Sequence, residues 1–169
     1  MKKNLVLLGM MAVGKTTVGK IVAKKQGLEF IDTDSVIEKE CGMKIAEIFN
    51  TKGESFFRTK EEEEVLKTLK KTNCVIALGG GAFINKSIRN NILGSATSIW
   101  LDIDLKVLNE RIKWNKKRPL LNEYNNQKRI NEIYAERKSI YKLADYKILC
   151  NDLTEESIAK KIITYYEDH

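Results

Sequence analysis

The chain has 169 residues, 43% of them hydrophobic and 31% charged, with 30 basic residues against 23 acidic ones and a single proline. That length fits one domain able to bury about 70% of its unfolded surface. The mixed charge and apolar content exclude a disordered chain, and no apolar run nears the roughly 20 residues that cross a bilayer.

Three residue counts exclude further chemistry. The one histidine, His169, is the last residue, a poor place to hold the positioned imidazole that Ser-His or Cys-His catalysis requires. Cys41, Cys74 and Cys150 lie far apart, with no C-x-x-C pair for zinc, and are expected as core-filling thiols in a reducing compartment. The net charge of +7 is dispersed over pairs such as Lys24-Lys25, Lys70-Lys71 and Lys160-Lys161. Dispersed lysine predicts solvated faces and no nucleic-acid partner. The start, Met1 to Val13, superficially matches a secretory leader, but Lys15 and Lys20 follow at once and no cleavage site closes it. A cytoplasmic protein, without membrane attachment, is the expectation.

Strand and helix patterns alternate along the chain. Leu5–Leu8 reads as a strand buried on both faces, and Lys15–Lys25 as a helix with Val18, Ile21 and Val22 on one side. Glu29–Ile31 is a short strand, followed by helical pieces at Ser35–Glu40 and Ile45–Phe49. A longer helix is predicted over Glu54–Leu69, a strand over Cys74–Leu78, another over Ser98–Leu101, and a helix over Leu105–Lys113. Trp114–Asn126 is polar and holds Pro119. A helix over Lys128–Leu143, a strand over Lys147–Cys150 and a helix over Glu155–Tyr166 close the pattern. Such alternation predicts an α/β fold, a five-stranded parallel sheet with helices on both faces. Ligands then bind at the carboxyl ends of the strands, in the loops after Leu8, Ile31, Leu78 and Leu101.

The first of these loops, Gly9-Met10-Met11-Ala12-Val13-Gly14-Lys15-Thr16-Thr17, fits G-x-x-x-x-G-K-[ST] between a strand and a helix. Its backbone N–H groups form an anion nest, Lys15 reaches the β- and γ-phosphates, and the Thr16 hydroxyl is a ligand for Mg²⁺. ATP or GTP binding follows from it. The second loop carries Asp32-Thr33-Asp34, in which one carboxylate can hold Mg²⁺ through water while the other faces an acceptor hydroxyl. The competing role for Thr33 or Asp34 is capping the next helix. The third loop, Gly79-Gly80-Gly81, leaves backbone N–H groups open to a ligand. Only six of the basic residues are arginine, and arginine alone offers a planar fork for carboxylates.

Taken together, GMMAVGKTT (Gly9–Thr17), FIDTD (Phe30–Asp34), GESFFR (Gly53–Arg58), ALGGGA (Ala77–Ala82), RPLL (Arg118–Leu121) and ERKSIY (Glu136–Tyr141) resemble the shikimate kinase family over nearly the whole chain. The resemblance implies a single P-loop NTPase domain over residues 1–169, a three-layer α/β/α sandwich with a mobile lid at about 114–126 and an acceptor-binding segment at about 33–61. It implies ATP as co-substrate with Mg²⁺ as cofactor, shikimate as acceptor phosphorylated at its 3-hydroxyl, and a monomer. Lys15, Asp34 and Arg118 would be catalytic. Gly9, Met11, Ala12, Val13, Gly14, Lys15, Thr16 and Thr17 would hold ATP, with Arg111 beside adenine and Arg118 in the lid. Asp34 would contact the acceptor hydroxyls, and Thr16, with Asp32 acting through water, would hold the metal. Arg58 and Arg137 would clamp the acceptor carboxylate, with Phe49, Phe57, Gly79, Gly80 and Gly81 lining its pocket.

Further expectations attach to individual residues. Glu61, three residues after Arg58, can fix that guanidinium. The other members of the Glu61–Glu64 run are expected in solvent, with Glu63 paired to Lys67 and Phe56 in the core. Arg89 and Arg129 are read as surface residues. Ala12 stands where many relatives have glycine and is expected to keep a negative φ. The segment 151–154 lacks the arginine that some relatives place against adenine. Two other readings fit less well: a kinase of gluconate or a nucleoside monophosphate, and a nucleotide-dependent binding protein without turnover.

Overall fold

In a computed structural model, residues 3–114 and 127–169 are described. Arg118, and all of the expected lid except Trp114 at a helix end, lie outside the described residues. The elements are β1 (Asn4–Leu8), α1 (Lys15–Gln26), β2 (Glu29–Asp32), α2 (Thr33–Cys41), α3 (Ile45–Lys52), α4 (Glu54–Leu69), β3 (Cys74–Ala77), α5 (Lys86–Ser95), β4 (Ala96–Asp102), α6 (Leu105–Trp114), α7 (Gln127–Tyr141), β5 (Tyr146–Leu149) and α8 (Glu155–Asp168). All strand pairs are parallel, and the order across the sheet is β2-β3-β1-β4-β5.

The apolar run Leu5–Leu8 is the central strand, buried throughout between β3 and β4. A strand without an exposed face must be covered by helices on both sides, which the run of apolar residues already implied. Because β1 is central, its loop opens between the carboxyl ends of its neighbours. Phe30 of β2 fits over Gly19 of α1 so closely that a Cβ there would lie 2.5 Å from the ring. A second, smaller apolar cluster of Ile37, Ile45, Ile48 and Phe57 sits apart from the main core, with Phe49 and Phe56 packed on its edge. Phe56 is therefore half-buried in that outlying cluster rather than part of the main core. Cys74 and Cys150 are buried and Cys41 half-buried, none in a disulfide.

Several local expectations need correction. Helix α5 has no counterpart in the predicted pattern, because its Ile88 and Ile92 are only two apolar anchors among polar residues. Asn85 starts it, its side chain accepting from the N–H groups of Ser87 and Ile88. Helix α2 begins two residues earlier than expected, at Thr33, so its cap is Asp32 and neither Thr33 nor Asp34. In α4 both Glu61 and Glu64 are buried, not Glu61 alone. Glu64 accepts from Thr68 Oγ1 at 2.8 Å, and Lys67 pairs with Glu40 and Glu64 while Glu63 pairs with Lys60. Arg89 is no plain surface residue: it donates to the carbonyls of Phe83 and Ile84, which closes the turn before α5. Arg129 is exposed, beside Glu132. Among the described residues no helix is long and apolar enough to cross a membrane.

Candidate active site

The loop after β1 wraps around the start of α1. Gly9 has φ +141°, and a Cβ on it would collide with the Leu101 carbonyl, so the first position of the motif tolerates only glycine. Lys15 Nζ donates to the carbonyls of Gly9 and Met10, each at 2.8 Å, and is thereby folded back over the loop. Ala12 has φ +61°, contrary to the expected negative value. The left-handed region costs a non-glycine residue about 1–2 kcal/mol, small enough for the loop's packing to impose. Ala12 and Met11 pack against the main core and, with Gly14, Lys15, Thr16 and Thr17, line a cleft of about 1080 Å³. Val13 is buried, and its carbonyl accepts from Arg111 Nη1 at 3.3 Å, which brings Arg111 to the loop after β1.

Asp32 and Asp34 diverge as their spacing predicts. Asp32 Oδ2 accepts from Thr16 Oγ1 at 2.7 Å, while its Oδ1 accepts from Ser35 N and caps α2. One carboxylate thus joins the loop after β1 to the helix after β2. Asp34, the second residue of α2, lines the cleft instead, and its Oδ1 has no hydrogen-bond partner among the described residues. Burial, together with the neighbouring charges of Glu61 and Asp32, pushes its carboxyl up to about 7, against an opposing pull from Lys15. A buried carboxyl with an unfilled acceptor in a ligand-sized cleft is poised to meet a hydroxyl.

The turn after β3 brings the remaining side chains together. A Cβ on Gly79 would lie 2.6 Å from Asp34 Oδ1, one on Gly80 3.3 Å from Arg137 Nη1, and one on Gly81 2.7 Å from Arg58 Nη1. Each glycine therefore leaves room for one charged group. Arg58 donates to the buried Glu61 at 2.7 Å, the contact expected from their spacing on α4. Burial works against the Arg58 charge, and Glu61 and Glu54 more than offset it, so the guanidinium is held above its ordinary value. Burial likewise raises the Glu61 carboxyl, with Arg58 and Arg137 opposing it. Phe57 stacks below Arg58, its ring centroid 5.3 Å from the guanidinium carbon, and Phe49 lies 4.8 Å from Phe57.

Sequence reasoning gave no role to three residues at this site. Glu155, in the first turn of α8, and Glu110 of α6 line the cleft together with Arg111. Tyr141 ends the ERKSIY segment, and its hydroxyl donates to the Gly80 carbonyl at 2.5 Å. Its spacing of four from Arg137 was the available signal, since both then share a helix face.

A phosphate cradle at the end of the central strand, beside a cluster of two carboxyl and two guanidinium groups, defines a P-loop kinase of small anionic metabolites. The shikimate kinase family model matches residues 11–167. The chain belongs to that family. A shikimate kinase of Thermodesulfovibrio yellowstonii is 44% identical over 165 residues, which span 98% of this chain and 95% of the relative. One of Caldanaerobacter subterraneus is 43% identical over 97% of this chain and 96% of the relative. Among solved structures, the shikimate kinase of Acinetobacter baumannii in complex with shikimate superposes with a TM-score of 0.92 at 31% identity, covering 99% of this chain and 94% of that one.

Proposed function

We propose that the protein transfers the γ-phosphoryl group of ATP to the 3-hydroxyl of shikimate. The observation that carries this reading is the convergence of Asp34, Arg137 and Arg58 on three successive glycines, of which Gly79 and Gly80, with Asp34, line the same cleft as Lys15. Arg58 and Arg137 offer the planar forks that a small carboxylate requires, and Glu61 fixes the first of them. Phe49 and Phe57 wall the ring of the acceptor. Asp34 accepts a hydrogen bond from the hydroxyl to be phosphorylated and orients it, or takes its proton as phosphoryl transfer proceeds.

On the nucleotide side, the amides between Gly9 and Thr17 hold the phosphates, and Lys15 swings from its carbonyl partners to the transferring group. Arg111 lies along the base. The hard oxygens of Thr16 and Asp32, 2.7 Å apart, fit Mg²⁺, which keeps most of its waters and binds few protein groups directly. When bound, Mg²⁺ offsets charge on the phosphate oxygens. By the family resemblance Arg118 adds a further positive charge from the lid segment. The protein acts as a cytoplasmic monomer on these two small molecules, within a single domain.

A coupled assay of ADP release tests the reading, with shikimate, gluconate and nucleoside monophosphates supplied in turn. Turnover is expected with shikimate alone, giving a product whose phosphorus signal couples to the proton at carbon 3. Preference for gluconate or a nucleotide would refute it, and nucleotide binding without turnover would support the non-catalytic alternative.

A further inference from the structure

We propose that Tyr141 is a positioning residue for the acceptor: by holding the Gly80 carbonyl it aims the Gly80–Gly81 peptide at the bound substrate. The proposal rests on the acceptor reading given above and adds a residue to it. Tyr141 is the last residue of α7, one turn beyond Arg137, and its side chain is fully buried. Its ring packs against Trp100 at 5.9 Å, and its hydroxyl donates to the Gly80 carbonyl at 2.5 Å with the Met10 sulfur at 4.0 Å.

The neighbouring carbonyls of the turn are held from within it. Ala82 N–H donates to Gly79 at 3.1 Å and Ile84 N–H donates to Gly81 at 3.2 Å. Gly80 is different. Its carbonyl is held from another element, α7, although as a glycine its own torsions restrain it least. The chain has no cis peptide among the described residues, so the N–H of Gly81 points opposite to the Gly80 carbonyl across a planar unit. Fixing that carbonyl toward Tyr141 therefore turns the Gly81 N–H away from α7. The same glycine lies beside the Arg137 guanidinium and the Met11 amide of the phosphate loop. A single phenol thus ties the arginine-bearing helix to the glycine turn.

Tyr134 supplies a built-in control. It lies on the same helix, on the other side of Arg137, and its hydroxyl donates to Asp102 at 2.9 Å, away from the glycine turn. Tyr134→Phe removes the bond to Asp102, whereas Tyr141→Phe frees the Gly80 carbonyl and also removes the contact of the phenol oxygen with the Arg137 guanidinium. The glycine spectra therefore decide whether the turn itself has moved. In the full-length protein, KM and calorimetric Kd for shikimate and for ATP or ADP are measured with the melting temperature. Tyr141→Phe is expected to weaken shikimate by about tenfold, the loss of one net hydrogen bond, with nucleotide constants within about twofold of wild type. Tyr134→Phe is expected to lower the melting temperature and leave shikimate affinity near wild type. Glycine ¹⁵N spectra should show the Gly80 and Gly81 signals moving in Tyr141→Phe and staying in place in Tyr134→Phe. Unchanged shikimate affinity in Tyr141→Phe, or equal losses in both variants, would overturn the positioning role while leaving the kinase reading intact. Wild-type protein that neither binds nor phosphorylates shikimate would overturn both.

Discussion

Asp34 and Gly79 are packed so tightly that a methyl group on the glycine would sit 2.6 Å from Asp34 Oδ1 and 3.0 Å from Glu61 Oε1. The glycine is required here for space, since the side chain it must admit is a buried carboxyl that cannot retreat into solvent. Gly79→Ala is therefore expected to displace Asp34 by up to an ångström. A misplacement of that size lowers kcat by about 10²-fold. Steady-state kinetics with a parallel melt check this, and a stable Gly79→Ala enzyme with wild-type kcat would show that Asp34 needs no such room.

Asp34 itself gives opposite expectations for stability and rate. Its folded-state carboxyl is raised from 3.8 to about 7, chiefly by burial and then by Glu61 and Asp32. Between those pH values the folded state holds more protons than the unfolded state, so this group makes stability fall as pH rises through the window. Asp34→Asn removes that fall. Without ligands the variant should melt higher than wild type at pH 8, and the gain should shrink toward pH 4. Its kcat should drop by roughly 10²–10⁴ if Asp34 serves the acceptor hydroxyl as a general base. Asp32, not Asp34, caps α2, so loss of a helix cap cannot account for such a drop. An Asp34→Asn enzyme of full activity would remove Asp34 from the chemistry.

The two sides of the cleft should separate in kinetics. Arg58→Ala or Arg137→Ala removes a charge-assisted hydrogen bond, about 1.5–3 kcal/mol, so shikimate KM should rise on the order of 10- to 150-fold. The KM for ATP should barely move. Lysine at either position should rescue little, because a point charge does not replace a planar fork. Arg58→Ala should also lower the melting temperature, since it strips the buried Glu61 of its 2.7 Å partner. Lys15→Ala should instead abolish turnover with shikimate binding retained by calorimetry. Parallel losses for both substrates in the arginine variants would place those arginines outside the acceptor site.

Ala12 offers a test of the phosphate loop in the absence of substrate. At φ +61° it sits where glycine is relaxed and alanine is strained by about 1–2 kcal/mol. Glycine's extra freedom in the unfolded chain offsets about 0.4–1 kcal/mol of that. Ala12→Gly should then stabilise the protein slightly, raising the melting temperature by a few degrees without loss of ATP affinity. A lower melting temperature would mean that the Ala12 methyl packs favourably enough to outweigh its backbone strain.

The sequence by itself determined the strand and helix alternation and the phosphate cradle, because both are carried by local runs of residues. A short apolar run such as Leu5–Leu8, bounded by a glycine turn, suits a strand buried on both faces, and the loop after it carries its own backbone amides and Lys15. The Arg58–Glu61 contact was legible for the same reason, since three residues on one helix are always neighbours. Helix α5 was not, because two isoleucines and an asparagine cap make a weak periodic signal. Nor was the φ of Ala12, which the surrounding loop imposes against the residue's own preference. The family resemblance had named Asp34, Arg58 and Arg137, but their meeting in space was decided by tertiary structure. Asp34, Arg58, Arg137 and Tyr141 come from three helices, and only the meeting of α2, α4 and α7 over the turn after β3 brings them to three successive glycines. The raised carboxyl of Asp34 has the same origin: burial and the nearby charges of Glu61, Asp32 and Lys15 exist only once those helices have packed.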